Sequence, residues 1–123
     1  MAPDTIKKRR DFLWVRGGRR WSAAAFVLEA RPRQGPADGP ARFGYTVSKK
    51  VGGAVTRNRV KRRLRALTAG LHAEQTQTGF DYVLIARSGA IDRGFPELKS
   101  DLDQALLRVH QPPGQMRRGA KNA

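Results

Sequence analysis

The sequence predicts an α+β fold, a small mixed β-sheet packed with helices in the order α-β-β-α-β-α. Three observations carry this. The 123 residues allow one domain with a single modest core and are too few for two. Hydrophobic residues reach 39% before glycine is counted, which is enough for a folded chain. Apolar positions recur at the helical period in some stretches and as short β-leaning runs in others, with Gly and Pro clusters between them.

Met1 to Thr5 reads as a frayed start. Ile6, Phe12, Leu13 and Val15 then predict a short helix stopped by Gly17-Gly18. Ala25-Phe26-Val27-Leu28, within Ser22 to Arg31, predicts a first strand closed by Pro32, and Pro32 to Pro40 is a Pro- and Gly-rich loop. Arg42 to Ser48 predicts a second strand, antiparallel to the first. A helix from about Ala54 to His72 follows, entered through Gly52-Gly53, and His72 to Gly79 is a polar connector. Tyr82-Val83-Leu84-Ile85-Ala86, within Phe80 to Arg87, is the strongest buried-strand candidate. A last helix begins near Pro96, with Leu98, Leu102, Ala105, Leu106 and Val109 on one side, and stops at Pro112-Pro113-Gly114. Residues 1–110 therefore form one domain, and 111–123, with Arg117, Arg118 and Lys121 and no acid, a flexible basic tail.

The charge has one dominant sign. Net charge is +15 and Arg outnumbers Lys, the footprint of a nucleic-acid binder whose planar guanidinium forks match phosphate. The charge concentrates in Arg57-Asn58-Arg59-Val60-Lys61-Arg62-Arg63-Leu64-Arg65, and no Asp or Glu lies between Gly39 and Ala73. At about 100° per residue, Val60, Leu64, Leu67 and Leu71 share a narrow stripe, Arg63 flanks it, and Asn58, Arg59, Lys61, Arg62 and Arg65 spread over the other side. A merely solvated helical face would mix signs through i,i+4 pairs, and this one has no acid to offer. The stripe is aliphatic without aromatics, which suits a protein core better than a membrane surface.

Other chemistries are poorly supplied. There are no cysteines, hence no disulfide, thiolate zinc site or cysteine nucleophile. No apolar run approaches the ~20 residues of a membrane span, and the first residues lack a signal-peptide core, so a cytoplasmic protein is expected. His72 and His110 fall at helix ends and read as surface or capping groups. Asp101 and Asp103 point to different sides of their helix, and Asp81 and Asp92 read as cap or turn residues. No catalytic residue is assigned, and a metal site remains unknown.

Residues 42–65, Arg42-Phe43-Gly44-Tyr45-Thr46-Val47-Ser48-Lys49-Lys50-Val51-Gly52-Gly53-Ala54-Val55-Thr56-Arg57-Asn58-Arg59-Val60-Lys61-Arg62-Arg63-Leu64-Arg65, resemble the signature of the bacterial ribonuclease P protein, with weaker similarity from Ile6 to about Val109. The resemblance implies a protein that assists a catalytic RNA in removing the 5′ leader from precursor tRNA. Lys49, Lys50, Arg57, Asn58, Arg59, Lys61, Arg62 and Arg65 would contact the RNA subunit. Phe12, from the Asp11-Phe12 pair, would face the leader. Two positions depart from the pattern: Arg16 stands where the family often has a second aromatic, and Glu29 where a strand Tyr can line the cleft. Leader contact through Phe12, Arg16 and Glu29 would rest more on charge than on stacking, while Trp14 and Trp21 fit either the core or a stacked base.

The implied partners are the ribonuclease P RNA and the precursor tRNA leader, with Mg²⁺ in the holoenzyme, no membrane and no protein partner required. The implied fold has a left-handed βαβ crossover of the ribosomal protein S5 domain 2 type, although about 98% of such crossovers are right-handed. The left-handed path would leave the Arg57 to Arg65 face open. A ribosome-associated or other structural RNA-binding module, and a basic-helix DNA binder, are the alternatives that charge alone leaves in place.

Overall fold

A computed structural model describes residues 4–35 and 39–111. The expected stop at 112–114 and the basic tail lie outside the described residues. The elements are β1 (Asp4–Thr5), α1 (Arg9–Val15), β2 (Arg19–Ser22), β3 (Phe26–Pro32), β4 (Arg42–Thr46), α2 (Ala54–Ala69), β5 (Phe80–Ala86) and α3 (Phe95–Val109). Short 3-10 turns at Ala73–Gln75 and Ser88–Ala90 flank β5. The six expected elements are all present, and the sheet gains two short strands at its edges.

The five strands run in the order β1-β4-β5-β3-β2. The expected pairing of the first two predicted strands is corrected here. They run in opposite directions, but β5 lies between them, parallel to β4 and antiparallel to β3. β5 takes the centre because it is apolar on both faces: Tyr82, Leu84 and Ala86 enter one core while Val83 enters the other. Asp4 and Thr5, expected to fray, pair in parallel with Arg42 and Phe43. The hairpin partner β2 was illegible because Arg19–Ser22 has only one buried residue, Trp21.

Alternation along the strands sorts side chains to two faces. Phe26, Leu28, Ala30, Phe43, Tyr82 and Leu84 meet the apolar stripes of α2 and α3. Phe43 stacks on Tyr82 with ring centroids 4.9 Å apart. Val83 and Ile85 point the other way, toward Ile6, Phe12, Trp14 and Val15 at α1. The α2 stripe behaves as its spacing predicts: Val60, Leu64 and Leu67 are buried, and Leu71 packs on their edge. In α3, Leu98, Leu102, Ala105, Leu106 and Val109 are buried likewise.

The hand of the β4-α2-β5 crossover follows from chirality. With β4 running upward and α2 toward the viewer, an L-residue whose side chain faces the viewer directs its carbonyl to the right. Phe43 faces that core, and its carbonyl accepts the Ile6 amide at 2.9 Å, next to β1. β1 therefore lies to the right of β4 and β5 to the left. The path steps leftward beneath a helix in front, which is the rarer left-handed crossover.

Two polar groups bind the layers. Asp81, expected as a cap or turn residue, is instead a buried strand acid gripped by Arg33 at 3.2 Å and by Arg42 at 2.9 and 2.7 Å. Its hydrogen bond is the main cause holding the Arg42 guanidinium above its ordinary pKa. Arg42 also reaches Asp11 on α1 at 3.5 Å. His110, expected as a surface or capping group, is the C-cap of α3 and half-buried, its Nε2 2.7 Å from the Tyr82 hydroxyl, which accepts the Gln77 amide at 2.9 Å. Burial pushes Tyr82 up to about 12, and burial, then the Arg19 charge, lowers His110.

Two measurements check this packing. Leu64→Ala should cost about 2 to 5 kcal/mol in denaturant unfolding, since it empties the centre of the α2 contact. Because His110 has a folded pKa below its unfolded 6.5, the unfolded chain binds more protons in that window. Stability should therefore fall as pH drops below about 6.5, and His110→Gln should flatten that part of the curve.

Candidate nucleic-acid interface

The interface begins with a turn. Ser48 accepts the Val51 amide at 3.1 Å, which leaves Lys49 and Lys50 exposed just before α2. The first turn of α2 carries no acid and its N-cap, Gly53, provides no side-chain hydrogen bond, so the positive end of the helix dipole is not offset from within. Along the helix Asn58, Arg59, Arg62 and Arg65 are exposed, and Arg57 and Lys61 are half-buried. Among the described residues none of these cations enters an ion pair, since every pair found involves Arg20, Arg33, Arg42 or Arg93. The Nε of Arg57 is buried without a hydrogen-bond partner.

Arg63 is different in kind. Its guanidinium donates to the carbonyls of Ile91, at 3.3 Å, and Arg93, and so ties α2 to the turn that leads into α3. Arg93 in turn is held by Asp101 at 2.5 and 3.1 Å. The flank position read from the helical wheel thus marks a structural arginine within a basic run. Arg65 lies 5.7 Å over the ring of Tyr45. The Tyr45 hydroxyl is 2.6 Å from Thr68 Oγ1, which donates to the Arg65 carbonyl at 3.1 Å, and burial raises the Tyr45 pKa.

A groove of about 450 Å³ joins this helix to α1. It is lined by Lys7, Arg9, Phe12, Leu13, Arg16, Tyr45, Thr46, Val47 and Lys61. Phe12 reaches it because Gly44 has no side chain: a Cβ there would lie 2.5 Å from the Phe12 ring. The groove brings Phe12 and Arg16 together with Lys61, so residues expected to serve two partners share one surface. Glu29 does not line it. It sits on β3, on the same sheet face, with Arg20 at 3.9 Å.

Sequence reasoning missed Tyr45, Lys7 and Arg9. Tyr45 read as an ordinary strand residue, and Lys7 and Arg9 belong to a basic run, Lys7-Lys8-Arg9-Arg10, whose direction only the packing of α1 sets. The two tryptophans separate. Trp21 is buried in the main core. Trp14 is half-buried, donates its indole N–H to the Pro32 carbonyl at 2.8 Å and has Arg31 stacked 3.4 Å over its ring. The acids of α3 diverge as expected, Asp101 pairing with Arg93 and Asp103 accepting from Gln75 at 2.7 Å. Among the described residues no three His, Asp or Glu side chains converge on a metal-sized space. No described helix is long and apolar enough to cross a membrane.

Known proteins share this build. The family model described as Ribonuclease P matches residues 2–110. A ribonuclease P protein component of Erythrobacter litoralis is 44% identical over 116 residues, covering 94% of this chain and 93% of that protein. One from Paramagnetospirillum magneticum is 46% identical over 110 residues, covering 86% and 82%. Among solved structures, the RNase P protein from Thermotoga maritima superposes with a TM-score of 0.71 at 26% identity, covering 88% of this chain and 99% of that one. The Staphylococcus aureus RNase P protein gives 0.68 at 28% identity, covering 87% and 97%.

Neighbouring arginines on α2 should respond differently to truncation. Arg63→Ala should lower unfolding stability by about 1 to 3 kcal/mol through its lost carbonyl contacts. Arg62→Ala should leave it within about 0.5 kcal/mol, as expected at an exposed position. Equal melting temperatures for the two variants would contradict the distinction.

Proposed function

This chain belongs to the ribonuclease P protein family, and from that premise we propose how its two basic surfaces divide the work. As the protein subunit of a ribonucleoprotein endoribonuclease, it works with an RNA partner. Lys49, Lys50, Arg57, Asn58, Arg59, Lys61, Arg62 and Arg65 bind phosphates of the RNA subunit. The α1 groove, with Phe12 and Arg16 and with Glu29 on β3, two strands across the sheet from Gly44, takes the unpaired 5′ leader of precursor tRNA. One observation carries this reading: the cations of α2 have no acid partner among the described residues, and Lys61 continues their surface into the groove beside Phe12. A row of fixed positive charges lowers the repulsion between two polyanions, and an aromatic in a basic groove suits a flexible single strand.

Hydrolysis of a phosphodiester needs an activated water and stabilised charge at the leaving oxygen. We assign that chemistry to the RNA subunit. The residues here do not fit a protein-held Mg²⁺ site: Asp81, Asp11 and Asp101 face arginines and Asp103 faces Gln75, in no shared cage. The Mg²⁺ of the holoenzyme is accordingly placed on RNA. Residues 1–110 serve as the RNA-binding domain, and the basic residues of 111–123 add charge to it. The cytoplasm, where precursor tRNA is made, is the working compartment.

Cleavage by the RNA subunit should be stimulated most at low Mg²⁺ and low salt, where dissolved cations cannot screen the repulsion. Arg59→Ala or Arg62→Ala should weaken RNA-subunit binding and reduce the log-log salt slope by about one. Protein-dependent affinity for precursor tRNA should decline as the leader is shortened nucleotide by nucleotide. Affinity indifferent to leader length would refute the groove assignment.

A further inference from the structure

A second hollow, of about 540 Å³, opens at the end of the sheet where β2 begins. It is bordered by Arg19, Arg31, Gln77, Phe80 and His110, and it shares no lining residue with the α1 groove. Because β4 and β5 are parallel, Phe80 at the start of β5 and the entry to α2 beyond Thr46 lie at opposite ends of the sheet. Gly17 and Gly18 form one wall: a Cβ on Gly17 would strike Arg31 Nη1, and one on Gly18 the Ala30 carbonyl. The volume falls within the range of about 300 to 1,000 Å³ usual for small-molecule sites. Among the described residues no acid lines it.

The arginines of this hollow are held in an unusual way. Elsewhere Arg42 meets Asp81, and Arg93 meets Asp101, side-on through Nε and Nη2. Arg19 and Arg31 are pinned through Nη1 instead. Arg19 Nη1 donates to the carbonyls of Val109 at 3.3 Å and Gln111 at 2.9 Å, and Arg31 Nη1 donates to that of Trp14 at 2.9 Å. Neutral carbonyls fix both guanidinium groups without offsetting their charge, and the Nε and Nη2 of each donate to nothing among the described residues. Asp81, the register partner of Arg31, is taken by Arg33 and Arg42. His110 adds a third donor. The Tyr82 hydroxyl accepts the Gln77 amide and gives its own proton to His110 Nε2, so the imidazole, kept neutral by burial and by the Arg19 charge, carries its proton on Nδ1. That N–H has no partner among the described residues.

We infer that this hollow binds a nucleoside monophosphate, with the free edges of Arg19 and Arg31 and the His110 N–H on the phosphate and Phe80 beside the base. A phosphate monoester carries three terminal oxygens in a tetrahedral array, so it can meet two side-on forks and a further N–H arriving from different elements. The two oxygens of a carboxylate lie in one plane and are met by a single fork, as Asp101 is by Arg93. Phe80 is half-buried, its ring 4.9 Å edge-on from His110, and gives a flat apolar surface next to these donors. The exposed Gln77 side chain makes no hydrogen bond among the described residues and offers a donor and an acceptor to a base edge. A free mononucleotide and the 5′-phosphorylated end of an RNA both carry this chemistry.

The test titrates the full-length, isotopically labelled protein with adenosine 5′-monophosphate, adenosine or inorganic phosphate, following backbone amides by NMR. The monophosphate should give saturable shifts at Gly17, Gly18, Gln77 and His110, and adenosine and inorganic phosphate should each bind there about tenfold more weakly or worse. Arg31→Gln and Gln77→Glu should each weaken the monophosphate by about tenfold or more. Gln77 is exposed and its side chain unbonded, so the second substitution puts an acid in the hollow without disturbing the fold. Dinucleotides with and without a 5′ phosphate separate the two sources. Binding of the phosphorylated dinucleotide as tight as that of the monophosphate assigns an RNA end, and its exclusion assigns a free nucleotide. Shifts confined to Arg57 to Arg65, adenosine binding as tightly as its monophosphate, or affinity unchanged by Gln77→Glu would overturn the inference.

Discussion

The architecture depends on how α2 is attached. A helix whose outward side chains are cations of one sign is strained by its own repulsion, and nothing within the described chain neutralises it. Its hold on the molecule is the stripe Val60, Leu64 and Leu67 against Phe43, Tyr82, Leu84 and the α3 leucines, with Arg63 as the one cation turned to structural use. The stripe is narrow, so it fixes the rotation of the helix about its axis. That rotation decides which arginines face outward. A wider apolar face would bury part of the array, and a narrower one would leave the helix loosely held. The left-handed crossover then sets α2 over β4, beside the groove, with its charged side away from the sheet.

On the opposite face of the sheet the organising group is Asp81. A buried carboxylate is tolerable only when its lone pairs are met, and Arg33 and Arg42 meet them. Arg42 extends this network to Asp11, the residue before Phe12. The position of α1 is thus set by one charged link at its start, by Val15 packed with Val83, and by the indole of Trp14 bonded to β3. Gly44 completes the arrangement by letting the Phe12 ring lie against the backbone of β4. Groove and basic helix are two consequences of one sheet, joined at Lys61 and Tyr45.

The family comparisons bear on this in a particular way. Sequence identity of 26–28% with solved structures coexists with TM-scores near 0.7. What such chains share is therefore a pattern of placement more than a set of identical side chains. In this chain Arg16 lines the groove at the end of α1, and Glu29 lies beyond it on β3. Arg20 is directly across from Glu29 on β2.

Much was legible in the amino-acid sequence because it is encoded locally. The α2 stripe with Arg63 at its flank, the buried β5 run, the α3 leucines and the divergence of Asp101 and Asp103 all follow from period and spacing along one element. The basic face followed from composition, since a helix without nearby acids must find its counter-charge elsewhere. Strand neighbours were another matter. β3 and β4 are joined in sequence across a loop, yet β5 separates them, because sheet order is set by which strand can bury both faces. β1 and β2 were too short to carry a pattern and exist only because exposed edges accept them. Asp81 read as a cap or turn residue and His110 as a surface or capping group for the same reason: the arginines that satisfy Asp81 and the tyrosine beside His110 are distant in sequence. The convergence of Phe12, Tyr45 and Lys61 likewise depends on Gly44 and on the hand of a crossover. Sequence alone determined which side of each element is apolar and which is charged. Only the tertiary structure decided which sides meet, because that choice is made by packing between segments far apart in the chain.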